Sequence, residues 1–487
     1  MIKKTISIIF FVFGFYTCYS QYTFQHIFKS PLFQKIGNII EINNGDILFP
    51  IITVDPVVSK IMKINNEGEI IDSIIISNIP NCIFTLYKYN DDFFFACGYK
   101  LENSKYSFWL RKYDYNFQLL KELSFSISGY LYLYCNPIIV NKKNNIIISF
   151  SCDSTSNIEY ANLLEINPNC EIIKYKKFMF YPMDYIWEII QKDSIYYTFV
   201  GGLLHKAPFC VVYKLDSAFN ILNVYNYSLP WSNTYLNNTK WLNDSIILLS
   251  GETDNYIPPH LEKTKKILEE TKIIKIKVDT CLHTINDTLF TKNDSNNFIG
   301  WKKNLDFVDV NNIFLGSFAT KDGGGYFSNY YSHLVLYKID SAFHLKWEKE
   351  YGGDANYVLI SIKATQDGGC VLAGTRYDYL TQNEETDPFI MKVNSEGNIS
   401  WVHNLPDEFI KLKVYPNPGI DKLIVNNPPQ NTKLILYDTN GQTQIMQSLN
   451  QSNRVNTTTL KSGIYYYQIV NSKGKVIGTG KWIKAEE

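Results

Sequence analysis

The sequence predicts an all-β protein: a seven-bladed β-propeller followed by a small C-terminal β-sandwich. Three observations carry this. Aromatic residues make up 15% of the chain, with 36 Tyr and 30 Phe, and such rings favour the pleated, half-buried surface of a strand. Asn-Gly, Asp-Gly and Asn-Asn pairs punctuate short apolar runs, while long stretches with a 3.6-residue period are scarce. Third, one short pattern recurs seven times between Gln21 and Leu405.

That pattern is an apolar strand, then a charged residue, an apolar residue and Asp or Asn. Its instances end at Asn65, Asp114, Asn167, Asp216, Asp279, Asp340 and Asn394, spaced 49 to 63 residues apart. Three residues further on come Gly68, Phe117, Cys170, Phe219, Leu282, Phe343 and Gly397. Asp and Asn bond nearby backbone N–H groups and initiate turns, so each instance reads as strand, Asx-type turn, strand. A second hairpin precedes each one, its later strand often closing on glycine, as in DDFFFACG to Gly98 and CVLAG to Gly374. Two hairpins per unit make four strands in about 50 residues, a propeller period. Closure into a ring hides strand edges that would otherwise aggregate. Two packed sandwiches would not explain one period carried through seven units. Whether residues 22–29 complete the last blade stays open. The segment WEKEYGG…TQDGGCVLAG…FIMKVNSEGNISW is similar to the propeller repeats of exported bacterial proteins.

The chain opens with a basic pair, Lys3 and Lys4, and a short apolar run, Ile6 to Phe15, followed by small residues before Gln21. A run this short suits a signal peptide over residues 1–20 and not a membrane span. No later run of about 18 apolar residues occurs, so no membrane span is expected. The 47 basic residues balance 47 acidic ones, and nothing points to nucleic acid as a partner. After the signal, eight cysteines remain. Disulfides such as Cys82/Cys97 and Cys135/Cys152 are open to an exported protein. The alternative, favoured because several sit inside apolar strands, is thiols packed as small hydrophobes.

From Leu412 the sequence reads LKVYPNPGIDKLIVNN, then LILYDTNGQ, then TTLKSGIYYYQIVNSKGKVIGTGKWIK. The run Tyr415-Pro416-Asn417-Pro418, the turn residue Gly441, then Gly463 and Tyr465, and finally Gly480-Lys481 resemble, in order, the type A C-terminal sorting domain of the type IX bacterial secretion route. The resemblance implies passage across the outer membrane, the type IX machinery as a partner, and a secreted or cell-surface location by way of the periplasm. Asn440-Gly441 is expected to make a tight hairpin turn and Ile464 to Ile469 a strand. The domains then read as signal peptide 1–20, propeller 21–405 and sorting domain 406–487.

Any site should lie on the loops between the second and third strands of the units, which share one face. Those loops are longest in units five to seven. Unit five carries ETDNYIPPHLEKTKKILEETK, where Pro259 to Glu270 suits a short helix. Unit six carries Tyr326, Phe327, Tyr330 and Tyr331, and unit seven Tyr377 and Tyr379. Such aromatics suit glycan or protein contacts, offering area at low entropy cost; the other reading folds them back onto the blades. The seven histidines lack metal-ligand spacing and no Gly-x-Ser-x-Gly occurs. No catalytic residue, metal or cofactor is therefore expected, although acids such as Glu252, Asp254, Asp378, Glu384 and Glu385 are the type used in sugar hydrolysis. Asp-Ser/Thr pairs, among them Asp216-Ser217 and Asp340-Ser341, resemble an O-glycosylation acceptor of bacteria using this route, and are also good turn chemistry. The sequence thus favours a secreted or surface binding or adhesion protein. The alternatives are a secreted polysaccharide-active hydrolase and a structural surface component.

Overall fold

The computed structural model describes residues 23–399 and 414–486, apart from 31, 55–56, 78–82, 103–104, 127–129, 155–158, 179–183, 205–206, 227–232, 255–268, 279–281, 291–294, 322–326, 381–384, 427, 439–442, 451 and 472–475. The expected signal peptide, 1–20, lies outside them. So do Cys82 and most of the helix expected from Pro259; its last residues belong instead to a strand, Glu269–Lys277. The chain divides into two compact units, 1–403 and 404–487.

The first unit is a β-propeller. Its described residues form seven antiparallel sheets, one per sequence repeat, with the strands of each repeat lying in order from innermost to outermost. Each sheet packs on the next, and the seventh on the first. Apolar cores fill the spaces between successive sheets, so the middle strands feed two cores at once. In FFFACG, Phe94 and Ala96 enter the core shared with the first sheet, while Phe95 and Cys97 enter the core shared with the third. Burial on both faces is why these strands read as continuous apolar runs and do not alternate.

The ring is closed by the chain's own beginning. Phe24–Ile27 pairs antiparallel with Asp387–Val393, making the outermost strand of the seventh sheet. Phe24, fully buried, covers Gly68 in the Asx turn of the first sheet. The His26 ring bonds Gly68 O at 2.5 Å.

The seven repeats fold as their spacing predicts. In six of them the Asx carboxylate or amide oxygen accepts two backbone N–H bonds; Asp114 Oδ1, for instance, accepts from Asn116 at 3.0 Å and Gln118 at 2.8 Å. Asp216 and Asp340 are used in the same way; Asp279 lies outside the described residues. All seven residues three places on have left-handed backbone, φ between 53° and 91°. This is a three-residue hairpin loop ending in a left-handed residue. A bulky residue there costs about 1–2 kcal/mol. The cost is offset because Phe117, Cys170, Phe219, Leu282 and Phe343 are all buried between blades, and burying such a side chain is worth about 1.5–3 kcal/mol. Where the residue is Gly68 or Gly397, a neighbour's ring, Phe24 or Trp347, occupies that space instead.

The charged residue of the repeat also has a task. Lys63 Nζ donates to Tyr115 O at 3.2 Å, Lys112 to Pro168 O at 3.2 Å and Lys338 to Ser395 O at 2.8 Å. Each bonds a carbonyl in the Asx turn of the following unit. Where the third repeat has Glu165, Lys174 pairs with it and reaches Ser217 O. Lys192 and Lys275 serve the fourth and fifth units through Val278 O and Ser341 O. Lys392, almost fully buried, completes the circle on Asn66 Oδ1 and pairs with Asp367 at 2.7 Å.

The innermost strands are irregular. Bulges interrupt them between Ile186 and Glu188, Leu236 and Asn238, and Leu359 and Ser361. In the sixth sheet the inner strand splits into Asn296–Ile299 and Leu305–Asp306. The intervening peptides leave their own sheet and bond to the seventh, Lys302 N to Ile360 O at 2.7 Å and Ile362 N to Lys303 O at 2.8 Å. Bulges re-aim side chains, and here they bring polar groups of several blades together at the ring's centre.

Cys170 and Cys370 are free thiols packed in the cores, and burial pushes the Cys170 thiol up to about 11. Cys97 is buried with them. In the backbone register of the third sheet Cys135 stands opposite Phe150 and Cys152 opposite Leu133.

The second unit is a β-sandwich of a three-stranded and a four-stranded sheet. Leu423, Val425, Leu434, Leu436, Ile469 and Trp482 make its core. The expected strands appear as Lys433–Tyr437 and Gly463–Val470; Gly441 lies outside the described residues.

Candidate functional sites: an aromatic rim and a lysine-lined channel mouth

The loops after the second strands of sheets six and seven meet through their aromatic residues, which divide into two sets. Tyr377 ends the strand Cys370–Tyr377 and is buried. Phe327 stands edge-on to it at 5.1–5.3 Å centroid distances from both Phe33 and Tyr377. Tyr331 lies against Tyr379 at 5.2 Å. Phe327, Tyr330 and Tyr331 keep 42%, 53% and 44% of their surface exposed. Tyr326 lies outside the described residues. The loop is held from below: Ser328 Oγ accepts from Tyr330 N at 3.2 Å, and Ser332 Oγ donates to Tyr357 O at 2.7 Å.

Beside these rings is a charged group not singled out from sequence. Arg376 pairs with Asp354 at 3.1 Å and Asp378 at 3.6 Å, and Tyr357 OH donates to Asp354 at 2.8 Å. Burial raises the Asp354 carboxyl, but Tyr357 and Arg376 outweigh this and hold it below the usual carboxylate range. Asp378, one of the candidate hydrolytic acids, is thus engaged by Arg376; Glu384 lies outside the described residues. Among the described residues no group of three or more metal-ligating side chains converges.

A second site lies at the opposite end of the strands, where the inner strands run into the turns joining first to second strands. A pocket of about 610 Å³ opens there, lined by residues that include Asn43, Lys88, Lys303, Lys363 and Gln366. Beneath it Asp306 is fully buried and receives three lysines from three sheets: Lys240 at 2.5 Å, Lys363 at 2.9 Å and Lys303 at 3.7 Å. Ala364 N donates to it as well, at 3.0 Å. Burial pushes the Asp306 carboxyl up, yet Lys303, Lys363 and Lys240 together overcome that and hold it far below the usual range. Glu41, also buried, accepts from Gln366 N at 3.2 Å; burial raises its carboxyl. Burial likewise pushes Glu188 up to about 7, against the bond from Thr239 N and the charge of Lys303. Nothing in the local sequence marks these residues; they come from several different repeats, and only the ring assembles them.

In the second unit the Tyr415–Pro418 run is fastened to the last strand, Val476–Lys484. Asn417 Nδ2 donates to Lys481 O at 2.8 Å while its Oδ1 accepts from Ile483 N at 2.9 Å. Trp482 Nε1 donates to Pro416 O at 2.7 Å. Tyr465 is buried against Trp482 and donates to Lys461 O at 2.8 Å. Gly480 faces Tyr467, whose ring leaves no room for a Cβ. Pro416, Asn417, Tyr465 and Lys481, widely spaced in the resemblance, are therefore gathered around Trp482 and the last strand.

Residues 413–484 match the family model of the secretion system C-terminal sorting domain. No curated protein matches the chain. Among solved structures, the chain is similar to the β-propeller domain of the trilobed protease from Pyrococcus furiosus, at 9% identity over 76% of this chain and 97% of that one, TM-score 0.42. It is similar to the polysaccharide lyase Uly1, at 10% identity over 74% and 89%, TM-score 0.43, and to Drosophila Semaphorin 2a, at 7% identity over 94% and 97%, TM-score 0.44. No helix among the described residues is long and apolar enough to cross a membrane.

Proposed function

We propose that this chain is a binding protein that works outside the cell. Its type IX sorting tail, matched over residues 413–484, directs it toward the surface or the medium. The propeller then contacts a glycan or protein through the rim formed by Phe327, Tyr330, Tyr331 and Tyr379. The observation that carries the reading is the set of exposed rings on loops anchored to buried strands. Rigid aromatics on a fixed scaffold give contact area with little entropy lost on binding. The Arg376–Asp354–Asp378 group supplies polar partners at the same edge.

A glycan array and a panel of surface proteins, probed with the mature chain, test this. Binding to at least one class is expected, weakened at least tenfold by Tyr330→Ala, an exposed position whose loss should leave stability within about 0.5 kcal/mol. Absence of any bound ligand, or equal binding by the variant, would remove the rim from consideration.

A further inference from the structure

We propose that the lysine-lined channel mouth binds a small polyanion, one carrying two or more carboxylate or phosphate charges. The site is separate from the aromatic rim, at the other end of the strands. Lys240, Lys303 and Lys363 gather at one fully buried carboxylate, Asp306, with Glu41 and Glu188 the further acids near them. The chain as a whole is balanced, with 47 basic and 47 acidic residues, so this gathering of lysines is a local feature. Glu41, a buried acid lining the same pocket, is occupied by the bond from Gln366 N at 3.2 Å.

Donor capacity points the same way. An ammonium carries three donors. Lys363 gives one to Asp306, and Lys303, at 3.7 Å, stands beyond hydrogen-bond distance from it. The Lys303 side chain is 36% exposed and Lys363 22%, and both line the open pocket with the Gln366 amide. On the first two sheets, Lys88 lines the same space, bonded to Asn43 Oδ1 at 2.6 Å and paired with the exposed Asp91 at 3.5 Å. A pocket of about 610 Å³ is of ligand size. Partly desolvated ammonium groups around a concave site attract and bond anions more strongly than exposed ones. Lysines, being point charges, fit carboxylate and phosphate alike.

Calorimetry on the mature protein with pyrophosphate and with citrate, at matched ionic strength in NaCl, is the test. Saturable binding of at least one is expected. Pyrophosphate alone assigns a phosphate ligand and citrate alone a polycarboxylate. Lys303→Gln should weaken binding about tenfold, Lys303→Arg should restore it, and Lys88→Gln should weaken it from the facing wall. Tyr330→Ala should leave it unchanged, which separates this site from the rim. Heat no greater than with NaCl, or undiminished binding by Lys303→Gln with its melting temperature intact, would overturn the proposal.

Discussion

Replacing Asp306 by alanine is expected to destabilise the propeller by about 3–5 kcal/mol, because removing one partner of a buried ionic group leaves the others uncompensated. Three lysines from sheets five, six and seven converge on this carboxylate, and Ala364 N adds a fourth bond. The substitution would leave Lys363 and Lys240, both largely buried, facing each other across a void. The sign of the pH effect follows from the depressed carboxyl. A group whose folded value lies below its unfolded one stabilises the fold fully above the unfolded value, near 3.9, and loses that contribution as pH falls further. The parent should therefore lose roughly 1.4 kcal/mol per pH unit below about 4 from this group, and Asp306→Ala should not. Urea midpoints at pH 7 and pH 3 would show a wide gap between the two proteins that narrows in acid. A gap under about 1 kcal/mol at pH 7 would mean the lysines are well solvated without their partner.

The second large effect concerns export. Trp482 is fully buried, packs on Tyr465 and Gly419, and bonds Pro416 O. Trp482→Ala should cost about 3–5 kcal/mol through the cavity it leaves. A fold of this size has roughly 4–11 kcal/mol in total, so the sorting unit would lose about a quarter or more of its stability, and the protein should accumulate in the periplasm to the extent that the unit unfolds. Lys433→Ala, at an exposed strand position, should be exported normally. Normal export of Trp482→Ala, with the tail shown to be unfolded, would mean that the machinery reads the linear segment and not the folded sandwich.

Much of the architecture was legible because it repeats. An Asx residue followed three places later by one residue of special backbone appears seven times in the sequence, and all seven of those later residues have positive φ. What the pattern could not show is why phenylalanine occupies a backbone region that favours glycine. The answer is tertiary: the ring fills the gap between blades, and where the turn has glycine a neighbouring blade or strand supplies the ring. Ring closure by residues 22–29 stayed open in the sequence, since Phe24–Ile27 and Asp387–Val393 are separated by nearly the whole propeller. The rim was half legible. Loop length and composition marked Tyr330 and Tyr331, but Tyr377 belongs to a strand end and is buried. The channel mouth gave no signal at all, because Lys240, Lys303, Asp306 and Lys363 sit among many similar lysines and acids and differ only in facing inward.

If the propeller works outside the cell, its sorting tail must send it there. Fractionation of cells expressing the chain with and without residues 413–487 tests this most directly. The full chain should appear in the medium or at the surface, and the truncated chain in the periplasm with its propeller folded. Release of the truncated chain at the full-length rate would contradict it.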